Sequence, residues 1–307
     1  MRAAVVVMLW IPAVLWLDRT ASSSAQTLLG VLTWALLIVL LWRESPLLRA
    51  QTLVVIVFAT TVEYVFSAWL GIYDYRLDQV PAYVPPGHGL VYLAAAGMGL
   101  ALASRPSLAR LAVAATVVAG AVLAVWGLWR SNDVLGAFWY LCLVGFLAWG
   151  RNRLLYVGAF VAVTWLEFLG TTWGVWTWKP RDTILGIVSI GNPPSVAAGG
   201  YGWFDLAAVA AAPALLMVWA RLRGKQRDHV LVQNAVGAEP ACDSTATVSG
   251  GAIVGGDFAA RFAHDRDESC DVPRVELGLG SDVDGALGHK QVRPEVAVGS
   301  HSPAPTE

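Results

Sequence analysis

Charged side chains are scarce in this chain. Only 14% of the 307 residues are Asp, Glu, Lys or Arg, and the formal net charge is −1. An average soluble domain has about 25% charged residues. Together with 56% hydrophobic residues, this composition excludes a disordered chain, an ordinary cytosolic enzyme and a basic nucleic-acid-binding protein. No nucleic-acid partner is therefore expected.

Cysteine and, in one region, aromatic residues are also lacking. Three cysteines cannot build a disulfide framework. Residues 223–307 contain no Trp or Tyr, whereas all 15 Trp and all 8 Tyr lie before residue 222. The sequence therefore predicts a hydrophobic membrane body, residues 1–222, followed by a disordered cytoplasmic tail, residues 223–307.

Long hydrophobic runs fill the body. A membrane-spanning helix needs about 20 apolar residues, and the continuous runs favour helices over an alternating barrel. We predict an all-α polytopic membrane protein with spans at about 3–17, 27–42, 51–72, 88–104, 111–129, 134–150, 154–174 and 202–220. If the first run is instead a cleaved signal peptide, seven spans remain.

The distribution of Arg and Lys predicts the orientation. Among residues 1–227, eleven basic residues fall on one side of the eight spans and five on the other. The richer side is expected to be cytoplasmic. Both termini of this cell-membrane protein are then predicted to be cytoplasmic.

Two similar stretches indicate an internal repeat. Glu63 precedes Gly71-Ile72-Tyr73-Asp74-Tyr75, and Glu167 precedes Gly174-Val175-Trp176-Thr177-Trp178. The offset is 104 residues at the Glu and 103 at the Gly. An offset of four helices predicts two parallel repeats, 1–104 and 105–222, related by an axis along the membrane normal.

Three acidic residues lie inside predicted spans: Glu63, Glu167 and Asp205. Charges in such positions are costly and are candidate functional groups. All three are predicted to lie in the extracytoplasmic half, where they would converge between the repeats as catalytic acids and bases. The alternative is that they are structural carboxylates bonded to Trp indoles or to the backbone.

The connections after the two glutamates supply candidate ligand-binding residues. Their aromatic rings fit either an interfacial belt or the lining of an apolar ligand site. The apolar stretch from Ile184 to Ile190 predicts a partly re-entrant segment over the site. One histidine with scattered carboxylates does not predict a metal site. The predicted substrate-binding residues are Tyr73, Tyr75, His88, Trp176, Trp178, Asn192 and Tyr201.

These motifs resemble a known family. The Glu63 helix, the Gly71–Tyr75 segment and Val80-Pro81-Ala82-Tyr83-Val84-Pro85 are similar to membrane carotenoid-biosynthesis proteins of the bisanhydrobacterioruberin hydratase type. The chain more distantly resembles the small membrane lycopene cyclases, but it has Asn192-Pro193-Pro194-Ser195 where those carry Pro-x-Glu-Glu. The resemblance implies cofactor-free protonation of an isoprenoid double bond, with Glu63 as the acid and Glu167 or Asp205 as the base.

The sequence therefore predicts a membrane enzyme that hydrates, cyclises or isomerises an isoprenoid-like lipid without a cofactor. Its expected partners are the bilayer and this lipophilic molecule, and the sequence does not indicate an oligomeric state. Two alternatives remain open at this point. Parallel repeats with intramembrane carboxylates also suit a proton-coupled transporter, and a Trp-rich body with a polar tail suits a non-catalytic scaffold.

Overall fold

The computed structural model of the chain describes the backbone of residues 2–236 and the side chains of residues 2–222. Within this part the chain is mostly helical. The eight α-helices there are α1 (Arg2–Asp18), α2 (Ser23–Leu41), α3 (Pro46–Glu63), α4 (Val84–Ala103), α5 (Pro106–Ser131), α6 (Val134–Trp149), α7 (Arg153–Thr172) and α8 (Tyr201–Val236). Strands β1 (Tyr73–Tyr75) and β2 (Trp176–Trp178) follow α3 and α7.

Each predicted hydrophobic run coincides with one of these helices. Six are long and apolar enough to cross a membrane, namely α2, α3 with its extension to Trp69, α4, α5, α7 and the segment Ala197–Leu222. Helix α6 is apolar but shorter, with 16 residues. Helix α1 has 17 residues and packs on α4 and α7 through buried Val7, Ile11 and Leu15.

Short polar residues start several helices. The Ser45 hydroxyl accepts a hydrogen bond from the Leu48 N–H, and Pro46 occupies the first helical position of α3. Ser22 caps α2 in the same way, through the Ala25 N–H. These caps satisfy backbone donors that have no partner inside the helix.

Helix α3 changes its winding directly after Glu63. Residues Tyr64–Trp69 form a π-helical segment, and Gly71 then turns the chain at φ +59°. Gly174 after α7 has φ +69°. Gly71 follows its glutamate by eight positions and Gly174 by seven. Because a π-helical turn holds an additional residue, it accommodates the one-residue difference between the two offsets.

Helices α4 and α7 form the centre of the bundle. Their backbones approach closely, since a Cβ at Gly158 would lie 2.5 Å from the Ala95 carbonyl oxygen. Small residues allow this close packing of membrane helices. Helix α3 packs extensively against α8, as α7 does against α4. The first helix of each pair carries one of the two glutamates, Glu63 on α3 and Glu167 on α7.

The connection between β2 and α8 differs from its prediction. Ile184, Leu185 and Ile187 were expected in a partly re-entrant segment, but they form an exposed tip, 65–72% exposed. Residues 190–200 enter the bundle instead, beside α6, with Val196 fully buried. The reason is local: Asp182 accepts four backbone N–H bonds and folds the apolar residues into a turn outside the bundle.

Helix α8 extends beyond the predicted end of the body. It continues to Val236, so residues 223–236, which were assigned to the tail, are helical. This stretch contains Arg, Lys, Gln and Leu and no Pro, a composition that lets a helix continue. The remainder of the predicted disordered tail, 237–307, lies outside the described residues.

Candidate functional site

A two-stranded antiparallel sheet joins the two stretches that share the Gly-x-aromatic-x-aromatic pattern. Tyr73 pairs with Trp178, Asp74 with Thr177 and Tyr75 with Trp176. Because side chains alternate along a strand, the four aromatic residues share the inner face and Asp74 points outward. Asp74 forms an ion pair with Lys179 on the exposed side. The end of the bundle that carries β1 and β2 is called the sheet end below.

Glu63 is surrounded by donors from this sheet and from α4. The Tyr73 and Tyr75 hydroxyls both donate to Oε1 of Glu63, at 2.5 and 2.6 Å. His88 Nε2 lies 3.4 Å from Oε2, and His88 Nδ1 lies 3.3 Å from the Tyr201 hydroxyl. Glu63 and His88 therefore form a buried acid–base pair whose orientation is fixed by three phenols.

The phenols of β1 remain protonated donors. Burial raises the pKa of Tyr73 and of Tyr75 well above 10, and the charge of Glu63 raises it further. Deprotonating either phenol would place a second negative charge beside the carboxylate in a desolvated site. Both hydroxyls therefore donate to Glu63 throughout the ordinary pH range.

Glu167 lies on the same inner face of the sheet, beside strand β2, and has different hydrogen-bond donors. The indole N–H groups of Trp176 and Trp178 both donate to its Oε2, at 3.0 and 3.2 Å. Indoles donate but cannot accept. No hydrogen bond from the described side chains reaches Oε1 of Glu167. One carboxyl oxygen is thus fixed, and the other remains for a ligand.

Both glutamates line one cavity of about 400 Å³ inside the bundle. Its walls are mostly apolar and extend from the sheet to Trp10 and Leu15 of α1. A volume of this size holds part or all of a small organic molecule. The predicted site residues that line it are Glu63, Tyr73, Tyr75, His88, Glu167, Trp176, Trp178 and Tyr201.

Asp205 does not join this group. Its carboxylate accepts bonds from Asn152 Nδ2 at 3.0 Å and from the Tyr92 and Tyr156 hydroxyls at 3.0 and 2.9 Å. These donors lie toward the α6–α7 connection, and Asp205 is absent from the lining of the cavity. The prediction that all three acidic residues meet at one site is therefore wrong for Asp205. Since the preceding loop descends beside α6, α8 starts inside the bundle and carries Asp205 away from the sheet.

Asn192 also lies outside the cavity lining. Its side-chain oxygen accepts the Trp178 backbone N–H at 3.1 Å, and the residue is exposed. Asn192 thus positions strand β2, whose side chains reach the cavity, and does not itself face it. The predicted direct contact between Asn192 and a ligand is not supported by this placement.

Two fully buried aspartates escaped the sequence analysis. Asp18 accepts from the Tyr83 hydroxyl at 2.7 Å and from Gln26 at 2.7 Å, and it pairs with Arg76 at 3.3 Å. Asp133 accepts from the N–H groups of Gly136, Gly191 and Ser195 at 2.9, 2.8 and 2.6 Å. Each lies where α1 or α5 ends and fastens the loop that follows α3 or α7. The sequence signal for both is their position at the end of the first hydrophobic run of each predicted repeat.

Within residues 2–222, no cluster of three or more His, Cys, Asp or Glu side chains is placed to hold a metal ion. No family model, curated protein or solved structure matches this chain. The functional argument therefore depends on the residues of the cavity.

Proposed function

We propose that the chain is a multi-pass membrane enzyme that performs acid–base chemistry on an isoprenoid-like double bond. One observation carries the proposal: two carboxyl groups, Glu63 and Glu167, share an apolar cavity but have different hydrogen-bond donors. Acid–base catalysis of an alkene needs one group that gives a proton and one that takes it. The different donors make the two carboxyl groups unequal.

The geometry favours Glu167 as the proton donor, which reverses the role expected for Glu63. A carboxylic acid must present a free O–H to an alkene carbon, and Oε1 of Glu167 accepts no bond from the described side chains. Proton transfer from Glu167 to one carbon of the double bond leaves a carbocation on the other. The faces of Tyr73, Trp176 and Trp178 around the cavity stabilise that charge.

Glu63 with His88 then serves as the base. In a hydration, water forms a C–O bond with the carbocation and gives its extra proton to this pair. In an isomerisation, the pair removes a proton from the neighbouring carbon and no water is consumed. Either way Glu167 loses one proton and the Glu63–His88 pair gains one, which returns through the cavity before the next cycle. No cofactor enters these steps.

We also propose that the body consists of two parallel four-helix repeats with both termini in the cytoplasm and the sheet at the outer face. Three pairs of features support it: Glu63 and Glu167, Asp18 and Asp133, and the two turns at Gly71 and Gly174. The central pairing of Asp74 with Thr177 places the strands about a local two-fold axis. The proposal of eight spans requires that α1 and α6 also cross the membrane, although both helices are short.

A proton-coupled transporter is the second candidate. The buried Glu63–His88 pair favours it, because a titratable pair inside a membrane cavity also suits proton-linked transport. In that case the protein would carry the lipophilic substrate across the membrane without changing it chemically.

Expression with acyclic isoprenoid polyenes, followed by lipid extraction and mass spectrometry, tests the proposal. Wild type is expected to give a product that is 18 Da heavier or isomeric, as the addition of water or a proton shift requires. Glu63→Gln and Glu167→Gln should each abolish it. Asp74→Asn, on the outer face of β1, is the matched control and should retain activity. Unmodified polyenes in wild type, or full activity in both Gln variants, would refute the assignment.

A further inference from the structure

We infer that the cavity fills sideways from the bilayer, through a mouth framed by Phe58 and Trp203, and that its ligand is a long apolar chain dissolved in the membrane. This inference deepens the proposed function and depends on it for the chemistry at the two glutamates. It does not depend on it for the position of the mouth.

Buried aromatic residues cover most of the sheet end of the cavity. The lining residues Tyr73, Tyr75, Tyr83 and Trp176 come from the connections at this end and are only 5–7% exposed. The buried bonds of Tyr83 to Asp18 and of Tyr73 to Glu63 hold two of these rings in place. A ligand arriving from the aqueous side would have to displace these residues.

Exposed lining residues occur elsewhere on the wall. Phe58 is 39% exposed and Trp203 is 49% exposed, and both line the cavity. Among the residues that line the cavity, only these two are exposed at the outer surface. At such a residue the wall between the cavity and the outer surface is only one side chain thick.

These residues lie on helices that are long and apolar enough to cross a membrane. Phe58 belongs to the candidate span Pro46–Trp69, and Trp203 to Ala197–Leu222. Their outer surface therefore faces lipid and not water. A molecule that enters past either residue must come from the hydrocarbon phase, which selects a lipophilic chain and excludes a polar solute.

Edge-to-face aromatic contacts hold the mouth in its observed state. Phe58 meets Phe204 of α8 with ring centroids 5.7 Å apart and an interplanar angle of 89°. Trp203 meets Phe146 of α6 at 5.3 Å and 88°. Such contacts are worth about 0.5–1.5 kcal/mol each beyond their buried area. Rotation of one ring is thus enough to widen the passage beside the first turn of α8.

The interior matches an elongated ligand. Beyond the glutamates the cavity continues to Trp10 and Leu15 of α1 and Val91 of α4. The indole of Trp10 donates to Thr33 at 3.3 Å, so its polar atom is satisfied away from the ligand. A chain entering at Phe58 would place one double bond between the carboxyl groups and the rest of its length along this apolar arm.

Photolabelling tests the mouth without requiring turnover. The full-length protein in phosphatidylcholine vesicles is mixed with vesicles that carry a C20 isoprenoid alcohol bearing a diazirine. Samples are irradiated at intervals, and labelled peptides are identified by mass spectrometry. Labelling at Val91 inside the cavity is divided by labelling at lipid-facing Leu53, which corrects for the transfer of probe between vesicles.

We expect the Leu53 region to be labelled first and Val91 later. Phe58→Ala should raise the initial Val91/Leu53 ratio about 2- to 10-fold, which corresponds to the loss of one aromatic contact. Trp126→Ala, at an exposed position of α5 outside the cavity, is the matched control and should leave the ratio unchanged. An unchanged ratio in Phe58→Ala, or Val91 labelled before Leu53, would overturn the inference.

The double variant Glu63→Gln/Glu167→Gln separates the two proposals. It should keep the labelling kinetics of wild type, because the carboxyl groups do not form the mouth. If wild type shows the expected labelling but makes no product from any polyene, the proposed enzyme activity is refuted. The inference that the cavity opens toward the bilayer is then still supported. If the double variant loses labelling of Val91 while remaining folded, the mouth is wrong.

Discussion

Replacement of Asp133 is expected to destabilise the protein strongly, although this residue lies outside the cavity. Its carboxylate is fully buried and accepts three backbone N–H bonds. Asp133→Ala leaves three buried donors without a partner, at about 1–3 kcal/mol each. We expect a total loss of about 3–6 kcal/mol, allowing for partial relaxation of the loop.

Asp133→Asn should be milder. The amide oxygen can still accept from Gly136 and Gly191, which both donate to Oδ1. Only the bond from Ser195 to Oδ2 is lost, and its loss costs about 1–3 kcal/mol. Unfolding is measured by heating the variants in one detergent, since the apparent midpoint depends on the detergent chosen.

Asp74→Ala is the matched control, because Asp74 forms an exposed ion pair with Lys179 and such pairs contribute about 0–1 kcal/mol. The expected order of destabilisation is Asp133→Ala, then Asp133→Asn, then Asp74→Ala. If Asp133→Ala is no less stable than Asp74→Ala, the carboxylate does not fasten the loop that carries Tyr201 to the cavity.

Two further predictions concern the site and the outer loop. Tyr73→Phe removes one donor to Glu63, and Trp178→Phe removes one donor to Glu167. A bond to a charged carboxylate, which Glu167 becomes when it gives up its proton, is worth about 1.5–3 kcal/mol. If the product assay above detects turnover, each should lower it by about 10-fold or more while the thermal midpoint changes little, and equal activity with wild type would argue against fixed carboxyl groups. Backbone N–H groups, first that of Leu185, lower the pKa of Asp182 to about 2. Because the folded pKa is below the ordinary value of 3.8, this stabilisation is present above that value and is lost as the pH falls through about 2. Fluorescence from a label at Leu185→Cys should then report release of the tip in acid, and Asp182→Ala should abolish that transition.

The helical layout could be predicted from the sequence, because each helix has its own hydrophobic run. The meeting of Glu63 with Glu167 was also predictable, since a shared motif at a fixed offset places both before a matching turn. The exchange of roles that we propose between them was not predictable. It depends on which aromatic residues fill the strand, Tyr beside Glu63 and Trp beside Glu167, and on which atoms of these rings reach the carboxyl oxygens.

The misplacement of Asp205 has a definite physical cause. The prediction that Asp205 lies with the two glutamates assumes that α8 begins at the membrane surface. A Cβ at Gly199 would collide with the Trp139 carbonyl, so the chain is already against the middle of α6 before α8 starts. Contacts between segments that are 60 residues apart in sequence cannot be read from hydropathy.

The burial of Asp18 and Asp133 illustrates the same limit. Both lie next to connections, a position typical of solvated acids. Tyr83 is 65 positions from Asp18, and Ser195 is 62 from Asp133. Only the folded loops exclude water from these carboxylates.

The small sheet has a mechanical consequence. Its backbone hydrogen bonds link the connection after α3 to the connection after α7. They therefore cross-link the first and second halves of the body at one end. The close packing of α4 on α7 joins the same two halves along the bundle, so rocking of one half against the other would have to break contacts in both places. Because Glu63 and Glu167 both accept hydrogen bonds from side chains of this sheet, the cross-link also holds the two carboxyl groups at a fixed spacing.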